Sequence, residues 1–185
     1  MSLMRIAVYC SSRKDIPQKY HSTASIVGQW IGSHNASLIY GGMDLGLMKT
    51  VATSASNAGG RIVGVVPVKE KAMALSLNDE EVLAFDLNDR KAKLILLGDV
   101  FVVLAGGYGT LDELISTFSF LTFAGDTHKT IILVNEDGLY DPILSQLKLM
   151  IEQNLLSTQN MSRLKVVDNA QECCQLLETL LPPTE

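Results

Sequence analysis

The amino-acid sequence predicts an α/β fold, a doubly wound parallel sheet with helices on both faces. Short apolar runs rich in β-branched residues alternate with segments of helical periodicity along the whole chain. The 185 residues are 47% hydrophobic, which is enough for a sheet that is buried on both sides. Because no repeat or linker divides the sequence, we expect a single domain spanning 1–185.

The first half of the chain contains three predicted strands. They cover 5–10, 37–40 and 61–67, with helices at 17–33 and from about 47 to the glycine pair at 59–60. The segment 68–86 has no firm periodicity, and we predict a loop there with room for a short helix or strand. Since it follows the carboxyl end of a strand, it suits a lid over a site.

The second half continues the alternation. A helix is predicted over 88–97, with Asn88 or Asp89 as its N-cap. Strands follow at 99–104, 129–134 and 164–167, and helices at about 111–123, 141–154 and 170–181. Asp168 or Asn169 is the predicted cap of the last helix, which Pro182 ends.

Composition narrows the function classes. The net charge of −5 argues against a broad nucleic-acid surface. The apolar runs are too short to span a bilayer and no secretory pattern is visible, so we expect a cytoplasmic protein without a membrane partner. Cys10, Cys173 and Cys174 form neither a disulfide framework nor a zinc-ligand pattern, and the three histidines are scattered. We therefore expect no metal site.

The most informative stretch is the glycine turn at Ala105–Glu113, A-G-G-Y-G-T-L-D-E, between a predicted strand and a predicted helix. Gly106, Gly107 and Gly109 allow the backbone to approach a ligand closely. The free N–H groups and the dipole of the helix that follows favour an anion at this turn, with Thr110 as a further donor.

Glu113 is the acidic residue of the same turn. One interpretation is a capping box, Thr110-x-x-Glu113, in which both side chains satisfy backbone donors. In the other, the carboxylate faces whatever the glycine turn holds. A carboxylate can leave its cap when a ligand arrives, so both interpretations stand.

Two further turns point to the same end of the sheet. Gly41-Gly42 follows the second strand and is either a tight connection or a second anion site. Ser12, after the first strand, either donates its hydroxyl to a ligand or caps its own turn. The first turn lacks the glycines of a dinucleotide-binding fingerprint, which argues against a nicotinamide or flavin dinucleotide cofactor.

Three cations crowd the start of the predicted helix at 88–97. Arg90, Lys91 and Lys93 oppose the helix dipole there, which suggests an anionic partner. Arg90 is the strongest functional candidate because a guanidinium can bind a phosphate through two hydrogen bonds. Lys91 and Lys93 point in different directions around the helix, and we expect at least one of them to be solvated.

Taken together, these motifs resemble the "Lonely Guy" (LOG) family of cytokinin riboside 5′-monophosphate phosphoribohydrolases. The turn at Ala105–Glu113 resembles the family signature P-G-G-x-G-T-x-x-E, and Asp89-Arg90-Lys91 resembles its R-K element. The segment 40–48, Y-G-G-M-D-L-G-L-M, resembles its Y-G-G-G-x-x-G-L-M-G loop. The match runs from about Arg5 to the last helix, and the ordered set of motifs is specific to the family.

The resemblance implies a Rossmann-like hydrolase that splits the N-glycosidic bond of a nucleoside 5′-monophosphate, such as AMP or N6-isopentenyl-AMP, into base and ribose 5-phosphate. It implies a homodimer, a part in cytokinin biosynthesis, and neither cofactor nor metal. Arg90 and Glu113 would be the catalytic pair. The implied substrate- and phosphate-binding residues are Ser12, Gly41, Gly42, Lys91, Gly106, Gly107, Gly109 and Thr110. The family's older name, lysine decarboxylase, does not fit because no segment suggests a pyridoxal phosphate site.

The sequence also departs from the family pattern. Met43 and Lys49 stand where the family has glycine, Asn88 where it commonly has histidine, and Ala105 where it has proline. Phe120 and Thr122 replace the usual tryptophan and glutamine, and together with Met43 we expect them to reshape the base pocket. These departures leave a second hypothesis open: a binding module that holds a nucleotide-like phosphate ligand without cleaving it, as the related molybdenum-cofactor carriers are thought to do.

Overall fold

The computed structural model describes residues 3–126 and 128–181, so the predicted stop at Pro182 lies outside the described residues. The strands are β1 (Arg5–Tyr9), β2 (Ser37–Tyr40), β3 (Arg61–Pro67), β4 (Glu80–Ala84), β5 (Val100–Val103), β6 (Thr130–Val134) and β7 (Leu164–Val167). The helices are α1 (Gln18–Ser33), α2 (Gly46–Asn57), α3 (Leu87–Leu97), α4 (Tyr108–Phe123), α5 (Asp141–Glu152), α6 (Thr158–Met161) and α7 (Ala170–Leu180). Two 3-10 helices cover Val68–Met73 and Glu136–Gly138.

All seven strands pair in parallel in one sheet of order β4-β3-β2-β1-β5-β6-β7. The chain builds outward from β1 to β4, then returns to lay β5 on the other side of β1. The strand order therefore reverses between β1 and β5, which is where ligands bind in such sheets. The predicted doubly wound α/β fold is confirmed.

Successive residues of each strand feed two separate cores. In β1, Ile6 and Val8 join the apolar cluster under α1, α2 and α7, whereas Ala7 and Tyr9 join the cluster under α3, α4 and α5. Because both faces are covered, the inner strands are apolar throughout rather than alternating. Within the two described ranges, no helix is long and apolar enough to cross a bilayer.

The segment 68–86, predicted as a loop with room for a short helix or strand, contains both. Its 3-10 helix is followed by β4, which pairs with β3 at the edge of the sheet. Only Ala84 of β4 is fully buried, which explains why the segment lacks a clear apolar pattern. The lid-like position is retained: Met73 accepts a hydrogen bond from Asp44 N at 3.0 Å, and Leu75 N donates to Gly42 O at 2.8 Å.

The predicted cap of α3 is wrong, and one of the two interpretations of Glu113 is excluded. Helix α3 is capped by Asp86, whose carboxylate accepts from the N–H groups of Asn88 and Asp89, because the chain is still extended at Asp86. Helix α4 begins directly after Gly107, so Thr110 lies inside the first turn and cannot form a capping box with Glu113. The predicted cap Asn169 of α7 is confirmed, since its side chain accepts from Glu172 N.

Candidate active site

A cavity of about 420 Å³ opens at the carboxyl ends of β1, β2 and β5, beside the point where the strand order reverses. Eight of the ten predicted site residues line it: Ser12, Gly41, Arg90, Lys91, Gly107, Gly109, Thr110 and Glu113. Gly42 and Gly106 are not in the lining. Gly42 anchors the lid-like segment through its carbonyl, and Gly106 packs under the Thr110 side chain.

The N-terminus of α4 forms one wall of this cavity. Its first helical hydrogen bond runs from Leu111 N to Gly107 O at 3.0 Å, so the preceding N–H groups have no acceptor within the helix. A Cβ at Gly107 or Gly109 would meet nothing within 4 Å, which leaves this backbone open to a ligand. The wall can therefore receive an anion through main-chain donors and the helix dipole.

Backbone and side-chain hydrogen bonds fix this turn to the sheet. Ser11 N donates to Ala105 O at 3.0 Å, which joins the turn after β1 to the turn after β5. The buried Tyr140 hydroxyl donates to Leu104 O at 2.6 Å. Burial raises the pKa of Tyr140, so the hydroxyl remains a donor. The glycine turn is held from both sides.

Arg90 extends from α3 into the cavity, and each of its three guanidinium nitrogens has a partner. Nε donates to the carbonyl oxygen of Val65 at 3.1 Å. Nη1 lies 3.3 Å from Oε1 of Glu113, and Nη2 lies 3.8 Å from the sulfur of Met48. With the side chain only 14% exposed, the guanidinium is held in one position at the floor of the cavity.

Glu113 lies on the second turn of α4, with its side chain 12% exposed. Burial raises the pKa of its carboxyl to about 7, with Asp112 acting in the same direction and Arg90 and Lys91 opposing. Hydrogen bonds connect this turn of the helix to β1: the Thr117 hydroxyl donates to Glu113 O at 2.8 Å and is hydrogen-bonded to the Tyr9 hydroxyl. A carboxyl with a pKa near 7 in a cleft is a candidate catalytic group.

Lys91 and Lys93 both pair with carboxylates and both side chains remain partly exposed, 19% and 33%, so ion pairing and partial solvation occur together at the start of α3. Lys91 Nζ lies 2.7 Å from Oδ2 of Asp112, and Lys93 Nζ lies 2.6 Å from Oδ2 of Asp89. The cations at the start of α3 therefore have anionic partners within the protein itself. Lys91 still lines the cavity, with its charge shared with Asp112.

Sequence reasoning missed most of the apolar side of the cavity. Besides Met43, which was noted as a departure, the lining includes Leu45, Met48, Met73 and Leu87, together with Arg13 and Glu70. These residues come from four separate segments; Leu45 and Met48 lie in the loop at 40–48 that resembles the family pattern, but that pattern does not show that their side chains face a cavity. Phe120 and Thr122, expected to reshape the base pocket, do not line it; they lie near the far end of α4.

Comparison with known proteins identifies the family. The family model described as "Possible lysine decarboxylase" matches residues 48–177. A cytokinin riboside 5′-monophosphate phosphoribohydrolase of Arabidopsis thaliana is 31% identical over 182 residues, covering 96% of this chain and 83% of the relative. The chain belongs to the LOG family. The LOG protein of Oryza sativa subsp. japonica is also 31% identical, over 185 residues, with 98% of this chain and 75% of the relative covered.

Solved structures with the same fold include proteins of another function. The molybdenum cofactor binding protein of Rippkaea orientalis superposes on this LOG-family chain with a TM-score of 0.76 at 22% identity, covering 98% of this chain and 99% of that one. The molybdenum cofactor carrier protein of Chlamydomonas reinhardtii gives 0.72 at 19% identity, covering 97% and 98%. At these identities the likeness shows the fold alone.

Proposed function

We propose that this protein is a nucleoside 5′-monophosphate phosphoribohydrolase, which hydrolyses the bond between base and ribose to give free base and ribose 5-phosphate. The observation that carries the proposal is the buried Arg90–Glu113 pair beside the open N-terminus of α4. One wall offers donors for a phosphate, and a carboxylate lies one helical turn further along the same helix.

The chemistry needs a fixed negative charge. As the base departs, positive charge builds on C1′ and the ring oxygen of ribose, as in glycoside hydrolysis. The Glu113 carboxylate, only 12% exposed, would stabilise that charge from a largely desolvated position, where electrostatic interactions are strong. Water adds its oxygen to C1′, Glu113 accepts the proton that water loses, and that proton restores the neutral base.

Different walls of the cavity would bind different parts of the substrate. The N–H groups at Gly107–Thr110 would hold the 5′-phosphate, with the Ser12 hydroxyl as a further donor. The methionine and leucine side chains opposite would cover a planar base, since thioethers pack adaptably against aromatic rings. Arg90 would orient Glu113 and the sugar between these two ends. Both AMP and N6-isopentenyl-AMP suit this division.

We also propose that the protein works as a homodimer in the cytoplasm. The dimer is what the resemblance to the LOG family implies, and α4 leaves Tyr108 and Phe123 about nine-tenths exposed, which a second copy could cover. Sedimentation equilibrium at micromolar concentration should give twice the mass of the chain. A single-chain mass at all concentrations would contradict the dimer without touching the reaction.

The second candidate function is a carrier that binds a phosphate-containing ligand and does not cleave it. The shared fold with molybdenum cofactor carriers favours it, as does Met43 in the glycine loop. The Glu113 carboxylate separates the two hypotheses. A carrier has no need of a buried carboxyl whose pKa lies near 7.

One experiment distinguishes the two functions. The purified protein is incubated with AMP and with N6-isopentenyl-AMP, and free base is measured by chromatography beside E113Q and the matched surface variant D112N. We expect base release by the wild type and D112N, and release about 1000-fold slower by E113Q. Tight retention of nucleotide with no base release by any of the three would favour the carrier.

A further inference from the structure

Gly41 has a steric reason to be glycine that is unrelated to backbone conformation. Its neighbour Gly42 has a left-handed φ of +74°, but Gly41 is not among the residues of positive φ. A Cβ built on Gly41 would overlap Nη2 of Arg90, and would lie 2.9 Å from Cζ of Arg90 and 2.7 Å from the sulfur of Met48. The space that a side chain would take is filled by the guanidinium.

The guanidinium is therefore enclosed on four sides. The Val65 carbonyl holds Nε, the Met48 sulfur faces Nη2, and Glu113 faces Nη1. Gly41 forms the fourth side, as a bare backbone surface against which the planar group lies. By contrast, Gly107 and Gly109 have open space where their Cβ atoms would be, so their lack of a side chain serves access from the cavity.

We propose that Gly41 and Met48 are positioning residues for Arg90. The Gly41 backbone forms the surface, here called the seat, against which the guanidinium packs, and the Met48 sulfur contacts its Nη2. Together they align Arg90 with Glu113. This inference rests on the proposed function, and it departs from the expectation that Gly41 binds phosphate. It makes the first glycine of the Y-G-G loop part of the arrangement of the catalytic pair, whereas the glycines at the start of α4 serve the anion.

Loss of the seat has a measurable electrostatic consequence. The charges acting on Glu113 are Arg90 and Lys91 from α3 and Asp112 from its own helix, with the Tyr9 and Cys10 side chains of the adjoining β1 segment nearby. If the guanidinium is pushed away, its attraction is lost while burial and Asp112 remain. The pKa of Glu113 then rises above its value in the wild type.

The main test is G41A, alone and combined with R90K, measured in two ways. Carbon-13 NMR of labelled glutamate, assigned by comparison with E113Q, gives the pKa of Glu113 without any need for activity, and base release gives kcat and KM. We expect G41A to raise that pKa and to lower kcat on the order of 100-fold, because displacement by about 1 Å has effects of that size. KM should stay within about twofold.

The double variant tests the contact directly. Lysine lacks the second amino group that the new methyl would overlap. R90K should therefore lower kcat only slightly in the G41A background, although it lowers kcat strongly in the wild type. G60A is the control, because a Cβ there would also be crowded by backbone, lying 2.7 Å from the Gly32 Cα, and Gly60 does not line the cavity. G60A should lower the melting temperature and leave the pKa of Glu113 in place.

M48L tests the second positioning residue and does not depend on the folding of G41A. It removes the sulfur acceptor at nearly constant volume, and we expect kcat to fall about threefold with a rise in the pKa of Glu113. M4L is the matched control, because Met4 is buried just before β1, at the amino ends of the strands and so at the opposite end of the sheet from the cavity. It should change neither quantity.

The outcomes separate this inference from the proposed function. If G41A raises KM and leaves kcat and the pKa of Glu113 unchanged, Gly41 contacts phosphate and the seat is wrong. If G41A does not fold and M48L matches the wild type in both quantities, the inference is also overturned. If the wild type releases no base, the proposed function fails, and the NMR measurement still decides the arrangement of Arg90 and Glu113.

Discussion

Two ion pairs join the same two helices through consecutive residues, and they differ in almost every other respect. Arg90 of α3 faces Glu113 of α4 at 3.3 Å, with the two side chains 14% and 12% exposed. Lys91 faces Asp112 at the shorter distance of 2.7 Å, with the two side chains 19% and 57% exposed. The more closely spaced pair is the one on the surface.

The comparison teaches that burial, and not the distance between the charges, distinguishes the proposed catalytic pair from the surface pair. Water screens the Lys91–Asp112 pair, whose geometry satisfies both charges and leaves little to perturb. Around Glu113, desolvation outweighs the attraction of Arg90, and the pKa of the carboxyl is raised to about 7 despite its cationic neighbour. In the Arg90–Glu113 pair, the attraction between the charges does not offset the cost of burying the carboxylate. Glu113 is therefore the carboxylate that is available to interact with a substrate.

The largest expected effect is the loss of kcat when the buried carboxylate is neutralised, compared with the same change in the surface pair. E113Q should lower kcat about 1000-fold with little change in KM, because the charge is needed only in the transition state. D112N should stay within about threefold. Equal losses in the two variants would show that the surface pair matters as much as the buried one, and steady-state base release measures both.

Next in size is the pH dependence of kcat/KM. In the proposed reaction Glu113 acts in its ionised form, so below its pKa of about 7 the rate should rise with pH. The expected gain is roughly 50-fold between pH 5 and pH 7, and about a further twofold above pH 7 before the rate reaches a plateau. Initial rates in overlapping buffers, with circular dichroism confirming the fold at each pH, measure the profile. A rate that falls through pH 7 would assign Glu113 the role of acid.

The stability of E113Q sharpens the same comparison. The carboxyl pKa is about 7 in the folded chain and about 4.5 when exposed, so in that window the folded state holds a proton that the unfolded state has lost. The free energy of unfolding of the wild type therefore decreases with rising pH, by about 3 kcal/mol for this group. Glutamine cannot ionise.

The free energy of unfolding of E113Q, relative to that of the wild type, should accordingly increase by about 3 kcal/mol between pH 4.5 and pH 8. Urea unfolding of both proteins at the two pH values isolates this group, because all other titrations cancel in the difference. A stability difference that is independent of pH would show that the carboxyl of Glu113 titrates alike in the folded and unfolded chains.

The smallest expected effect belongs to the surface pair. K91M and D112N should each change the free energy of unfolding by less than about 1 kcal/mol, and the difference should shrink in 0.5 M salt, because exposed ion pairs are weak and screened. Thermal melts at two salt concentrations measure it. A large, salt-independent loss would mean that this pair holds α3 against α4 and is more than a solvated contact.

Much of the fold could be predicted because its signals are local. The apolar strands at 37–40 and 61–67 carry their burial in their own composition, and both are confirmed with the predicted bounds. The edge strand β4 was not resolved from its loop, because four of its five residues are partly or fully exposed and leave no apolar pattern. Asp86 was missed as a cap because its role depends on where the chain turns from β4 into α3.

The features of the candidate site also differ in whether neighbouring residues reveal them. Its glycine turns could be found because strand-glycine-helix patterns are contiguous, and the order of motifs led to the LOG family. The pairing of Lys91 with Asp112, and the contact of Arg90 with Gly41, join segments far apart in the chain, and no spacing reports them.

The sequence by itself determined the alternation of strands and helices, the end of the sheet that carries the turns, and the family, because each is written in neighbouring residues. Only the tertiary structure decided which carboxylate is removed from water and which stays in it. Asp112 and Glu113 are adjacent and chemically alike, and the packing of α3 and α4 over the sheet makes one a solvated partner and the other a candidate catalyst, since desolvation depends on everything packed around a charge.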